Sequence, residues 1–286
     1  MPNIGLLDGA MGSELIRRGE TLPPYIWSAD SNLSNPDLVY QIHKDYVEAG
    51  AQYLTANTFR TTPRAYEKIG LSIHDAEERA FLSLKSAIEI AKKADNGIQV
   101  LGSIAPLEDC YMPELFPGKK IAIKEFTQLG LWLKEAGSDA IILETMNSLL
   151  ETLSALNAVS RLGLPVWVSF HMFDSKNICS GELLSDVIPH LYNYPVDCLL
   201  INCNNLNITT SAVDNIVDKW AKDWGVYPNL GIGNPSPNAI INKTYSNENF
   251  LFVIQKVVNA GASIIGGCCG STPEHISLLN ETFNVN

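Results

Sequence analysis

Eight short apolar runs recur along the chain, and between most of them lies a segment whose apolar residues repeat with helical spacing. No other feature of the sequence restricts the fold as much. The runs are IGLLDGA at 4–10, YLTANTF at 53–59, QVLGSIA at 99–105, AIILET at 140–145, VWVSFH at 166–171, CLLINCN at 198–204, GVYPNL at 225–230 and SIIGGCC at 263–269. Strands that alternate with helices of this length call for a parallel sheet, because each crossover helix returns the chain to the same sheet edge. Eight units in 286 residues predict an α/β fold of one kind, a single (β/α)8 TIM barrel spanning 1–286. The rival is an open doubly wound sheet, but no G-x-G-x-x-G follows the first strand.

The intervening segments carry helix signals of their own. In NPDLVYQIHKDYVEAG, Leu38, Ile42, Tyr46 and Ala49 share a face, and Asn35-Pro36 offers a cap followed by proline in the first turn. Further helices are expected in DAEERAFLSLKSAIEIAKKA, IKEFTQLGLWLKEAG, SLLETLSALNAVSRLG, TTSAVDNIVDKWAKD and ENFLFVIQKVVNAGA. Two connections, 11–34 after the first strand and 231–247 after the seventh, are longer than a barrel needs. Both follow strand C-termini, the face on which barrel enzymes build their sites, so both are candidate substrate covers.

Composition narrows the function. Hydrophobic residues make up 46% and charged residues 18%, and the formal net charge is −11 with the 20 basic residues scattered. Nucleic acid and anionic membrane are therefore not expected as partners. The N-terminus has no basic, then apolar, leader pattern and no later run is long enough to span a bilayer, so a cytoplasmic protein is expected. The six cysteines are too few for a disulfide scaffold in a chain of this length and are expected as thiols.

Three of those cysteines fall at strand ends. Cys203 closes the sixth run, and Cys268 and Cys269 close the eighth. Alternate barrel strands feed the same interior layer, so the three sulfurs could converge at the mouth. Three thiolates suit zinc and leave a fourth position open, the arrangement of a catalytic rather than a structural site. Adjacent cysteines reach one metal only where the backbone turns sharply, a freedom that Gly266, Gly267 and Gly270 supply. The plainer reading, buried core cysteines, is adopted for Cys110, Cys179 and Cys198, which have no partner at ligand spacing.

GGCCGSTPEHI, LLINCN, DGAMGSEL, NPDLVYQIHKDYVEAGAQYLTANTF and VYPNLG together resemble the homocysteine S-methyltransferase family over essentially the whole chain. The resemblance implies a zinc-dependent barrel that moves a methyl group onto the thiol of homocysteine, with Cys203, Cys268 and Cys269 as metal ligands. It also implies that Asp8 and Glu144 hold the ammonium of homocysteine. The backbone at Gly9 and Ala10, with Asn57 and Thr58, would receive its carboxylate. From the residues alone, Asp8 could equally cap a turn and Glu144 could face solvent.

The donor is expected to be small, because 286 residues leave no room beyond the barrel for folate or cobalamin modules. The resemblance points to the sulfonium branch, with S-methylmethionine or S-adenosylmethionine as donor. Betaine or dimethylsulfoniopropionate as donor, or another thiol or selenol as acceptor, is the alternative. A zinc-stabilised thiol-binding protein without turnover is the non-enzymatic one. Trp27 matches a donor-pocket tryptophan whose face suits an onium methyl group, although a tryptophan packed on the barrel rim reads the same in sequence. Arg60 replaces the aromatic residue of the betaine branch and could bind a donor carboxylate or simply join a surface ion pair. His171 is read as a core or rim histidine rather than a fourth ligand.

Overall fold

The computed structural model describes residues 4–233 and 239–283. All eight runs form strands: β1 (Gly5–Leu6), β2 (Tyr53–Ala56), β3 (Gln99–Ile104), β4 (Ala140–Met146), β5 (Val166–Phe170), β6 (Val196–Asn202), β7 (Asp223–Tyr227) and β8 (Ile264–Ile265). They pair in parallel in the order β1-β8-β7-β6-β5-β4-β3-β2. A parallel bridge between Leu7 and Tyr53 joins the two ends of that order, so the α/β sheet closes into the expected barrel. Two hydrogen bonds support the closure, Gln52 N to Leu6 O at 2.8 Å and Asp8 N to Tyr53 O at 3.0 Å.

Seven of the eight strands end before their apolar runs do, β4 being the exception. The residues that follow β1, β2, β6 and β8 leave the ladder and turn into the barrel mouth, and these are the segments that carry Asp8, Asn57, Cys203 and Cys268. The interior floor is filled by Leu7, Leu101, Ile142, Trp167, Leu200 and Ile264, all buried. A larger apolar layer lies between the strands and the surrounding helices.

Helices Pro36–Glu48, Ile73–Ala94, Lys119–Ala136, Leu149–Val159 and Asn247–Asn259 occupy the expected segments. In the first, Ile42, Tyr46 and Ala49 are buried as the spacing predicts, joined by Val39 and His43, while Leu38 is half-buried. Asn35 stands at its N-cap but does not cap it; the side chain donates instead to Glu20 at 2.6 Å. The segment TTSAVDNIVDKWAKD is not one helix. Helices end at Ala212 and Val217, and Trp220 turns back to donate its indole N–H to Asp223 O at 2.9 Å, which anchors the chain for entry into β7. Among the described residues no helix is long and apolar enough to cross a membrane.

Candidate active site

A cavity of about 1220 Å³ opens at the C-terminal ends of the strands. Both long connections line it, the first through Pro24, Tyr25, Trp27 and Ser28, the second through Ile232, Ile241 and Tyr245. Part of the second, 234–238, lies outside the described residues.

Cys203 follows β6 directly and has φ +57°, the left-handed conformation that non-glycine residues rarely adopt. That turn aims its sulfur across the mouth, to 3.6 Å from the Cys269 sulfur. Cys268 completes the group, with all three Sγ atoms within 4.8 Å of one another, so the cluster could hold a metal ion. The flanking glycines contribute differently from one another. Gly270 has φ +80° and makes the sharp turn. Gly266 instead allows close approach, since a Cβ there would stand 2.8 Å from Leu7 Cβ. Ser13 fixes the turn by accepting from Gly270 N at 2.9 Å.

Asp8 and Glu144 reach the same cavity from β1 and β4. Asp8 is buried and accepts from Thr55 N at 2.9 Å. Burial pushes its carboxyl well above the usual range, against the opposing pull of the Thr55 contact. Glu144 accepts from Ser103 Oγ at 2.5 Å, and burial raises it to about 7, with that hydrogen bond opposing the shift and Cys203 adding to it. Two carboxyl groups whose charged forms are disfavoured by burial are poised to take a cation.

The next residue, Thr145, also has positive φ, +58°, where the β4–β5 register shifts. A buried chain holds it: Ser169 Oγ donates to Asn202 Oδ1 at 2.7 Å and Asn202 Nδ2 donates to Thr145 Oγ1 at 2.8 Å. Strained backbone of this kind persists where surrounding contacts fix it, and it concentrates at functional sites.

The remaining sequence candidates divide. The cavity lining includes Gly9, Ala10, Trp27, Asn57 and Arg60, but not Thr58, whose hydroxyl bridges Ser103 N and Ser103 O at 2.8 Å each. Asn57 is committed as well, accepting from Ser28 Oγ at 2.5 Å and donating to Ser28 O and Asn32 Oδ1 at 2.8 Å. Ala10 N donates to Ser271 Oγ at 3.1 Å. Trp27 has φ +47°, and its indole lies so close over Gly12 that a Cβ there would meet Nε1 at 2.3 Å. Arg60 donates to Pro106 O at 2.9 Å.

His171 lies at the rim. Its ring stands edge-on to Tyr111 with centroids 5.0 Å apart, burial pulls its pKa down, and it is not part of the thiol group. Tyr111 reaches the cluster itself, its hydroxyl 3.6 Å from Cys203 Sγ. Cys110 and Cys198 are buried, whereas Cys179 is half-buried and lines the cavity with Cys110. Sequence reasoning did not single out Ser103, Tyr111, Ser169, Asn202, Tyr227 or Ser271. For Ser103, Ser169 and Asn202 the signal was present: each is a polar residue directly after an apolar stretch of its strand, VLG, VWV and CLLI.

The family model for homocysteine S-methyltransferase matches residues 5–283. Homocysteine S-methyltransferase of Escherichia coli (strain K12) is 31% identical over 97% of this chain and 94% of its own length. Selenocysteine Se-methyltransferase of Brassica oleracea var. italica is 28% identical over 96% and 88%. The crystal structure of the homocysteine methyltransferase MmuM from Escherichia coli in its metallated form superimposes with a TM-score of 0.85 at 28% identity, covering 98% of this chain and 96% of that one. The match runs from the first strand to the last helix, and the chain belongs to the homocysteine S-methyltransferase family, methyltransferases of the EC 2.1.1 type.

Proposed function

We propose that the protein moves a methyl group from a small sulfonium compound, S-methylmethionine or S-adenosylmethionine, to the sulfur of L-homocysteine, giving methionine, with zinc held by Cys203, Cys268 and Cys269. The observation that carries this reading is the convergence of three sulfurs within 4.8 Å, in one cavity with two buried carboxyl groups. The donor set fits zinc: three thiolates are soft ligands, and among the described residues no other His, Cys, Asp or Glu joins the group, which leaves a position for substrate. Zinc, when bound, supplies a Lewis acid that favours the thiolate form of an acceptor thiol at neutral pH.

The chain's own residues supply the rest. Asp8 and Glu144 bind the acceptor ammonium, and that cation restores their charged forms against burial. The turn at Gly9 and Ala10 is the backbone nearest in sequence to Asp8 and receives the acceptor carboxylate, with Asn57 holding the wall behind it through Ser28 and Asn32. Thr58 acts in the same wall through Ser103. Trp27 presents an aromatic face to the donor's methyl groups, and Arg60 binds the donor carboxylate by a planar fork. In-line placement of the two sulfurs is then the main catalytic contribution of the cavity. The six free cysteines accord with a reducing cytoplasm.

The test is an assay of zinc-loaded protein with homocysteine against S-methylmethionine, S-adenosylmethionine, dimethylsulfoniopropionate and betaine, with selenocysteine as a second acceptor. Methionine formation fastest with a sulfonium amino acid is expected. Betaine outperforming every sulfonium would refute the donor assignment, and no methyl transfer from any donor would refute the activity.

A further inference from the structure

Tyr227, the last residue of β7, is buried and lines the cavity. Its backbone ties it to the thiol group: Tyr227 O accepts from Cys203 N at 3.1 Å, and the next carbonyl, Pro228 O, accepts from Cys268 N at 2.9 Å. The side chain turns inward, and its hydroxyl is buried without a hydrogen-bond partner. The Glu144 carboxyl and the Ser169 hydroxyl are its polar neighbours and both interact with it, but neither closes a hydrogen bond of good geometry, their own short bonds going to Ser103 at 2.5 Å and Asn202 at 2.7 Å. A buried hydroxyl left in this state is destabilising, and native proteins rarely keep one that nothing satisfies. The residue lines the cavity beside Glu144, with the hydroxyl itself covered in the ligand-free protein.

We infer that Tyr227 is an acceptor-binding residue whose hydroxyl oxygen accepts a hydrogen bond from the α-ammonium of the thiol amino acid while its hydrogen turns to Glu144. The inference rests on the reading that homocysteine binds beside the three cysteines. An ammonium has three N–H donors. Asp8 and Glu144 take two, and a third anionic acceptor would overload a site that already holds two carboxyl groups and three thiols. A neutral phenol satisfies the third donor without adding charge. It also steadies the Glu144 carboxyl, which Ser103 holds at 2.5 Å, because its hydrogen is tied to no partner in good geometry until the ligand arrives.

The experiment compares wild-type and Tyr227→Phe protein, both zinc-loaded, by calorimetry with two acceptors. One is homocysteine and the other is 4-mercaptobutyrate, which keeps the thiol and carboxylate but lacks the ammonium. Melting temperatures of the ligand-free proteins are measured alongside. In Tyr227→Phe, homocysteine affinity is expected to fall about tenfold or more and mercaptobutyrate affinity to stay within about twofold. The ligand-free melting temperature is expected to hold or rise, since the variant removes an unsatisfied buried group. A lower melting temperature with equal loss for both acceptors would make Tyr227 structural and overturn the inference, as would unchanged homocysteine affinity. Failure of the wild-type protein to bind zinc or homocysteine would instead overturn the underlying functional reading.

Discussion

The mouth and the floor of the barrel are built from the same strands and obey opposite rules. On the floor, Leu101, Ile142, Trp167, Leu200 and Ile264 fill the interior with apolar side chains from regular strand positions. At the mouth, Cys203 and Thr145 at the ends of those strands and Trp27 in the first long connection hold left-handed backbone, two carboxyl groups are pushed toward their neutral forms, and the Tyr227 hydroxyl has no hydrogen bond of good geometry. The floor is arranged for stability and the mouth against it. What the comparison teaches is that the strain is local, because the paired strands below fix it in place.

Removing the thiols should separate the two regions most clearly. Cys203→Ala, Cys268→Ala and Cys269→Ala are expected to lose most of the zinc and at least about a thousandfold of activity, a loss of order 4 kcal/mol in transition-state stabilisation. The ligand-free fold should persist, because a barrel core of this size does not need metal to form. Metal analysis and melting curves on the same samples check this, with Cys110→Ala as the control that keeps its zinc. Retention of full zinc in Cys269→Ala would break the division.

The converse change acts on the floor. Leu200→Ala, at a site with no exposed surface, should cost about 2–5 kcal/mol of stability through lost burial and the cavity it leaves. Activity per folded molecule should be nearly unchanged. Denaturant titration and steady-state kinetics at low temperature measure the two quantities, and a large fall in kcat with little loss of stability would show that floor and mouth are coupled.

Smaller effects sharpen the mouth itself. Asp8→Asn and Glu144→Gln should keep zinc but weaken homocysteine binding by about 2 kcal/mol each, the size of a lost charge-assisted hydrogen bond. Because each carboxyl is destabilised in its charged form by burial, the ligand-free variants should be no less stable than the parent. Unchanged homocysteine affinity in both variants would place the amino-acid group elsewhere.

The smallest effect near neutral pH belongs to neither region. His43, buried on the inner face of the helix Pro36–Glu48 with both ring nitrogens unpartnered, is held by burial to about 4 instead of 6.5. As pH falls from 6.5 the unfolded chain takes the proton first, so stability is full above that value and declines through the window down to about 4. Between pH 7 and pH 6 the decline is less than about 1 kcal/mol. His43→Leu should remove this component from the pH dependence of unfolding. An identical acid slope in the variant would assign it to other groups.

The sequence by itself determined the barrel and the identity of its central thiols. Both follow from short-range patterns: the alternation of apolar runs with helical spacing is local, and Cys203, Cys268 and Cys269 sit at the ends of runs whose order around the barrel follows from connectivity. Local pattern failed where one residue chose among distant partners. Asn35 could cap a helix but bonds Glu20, and the hydrogen bonds that Asn57 makes to Asn32 and Thr58 to Ser103 could not be read from their neighbours in sequence. The left-handed turns of Cys203 and Thr145 and the unpartnered hydroxyl of Tyr227 also came only with the tertiary structure. The physical reason is distance along the chain. Ala10 meets Ser271 from 261 positions away, and Glu144 meets Ser103 from 41, so which polar groups are satisfied, strained or left waiting is settled only when the strands close on one another.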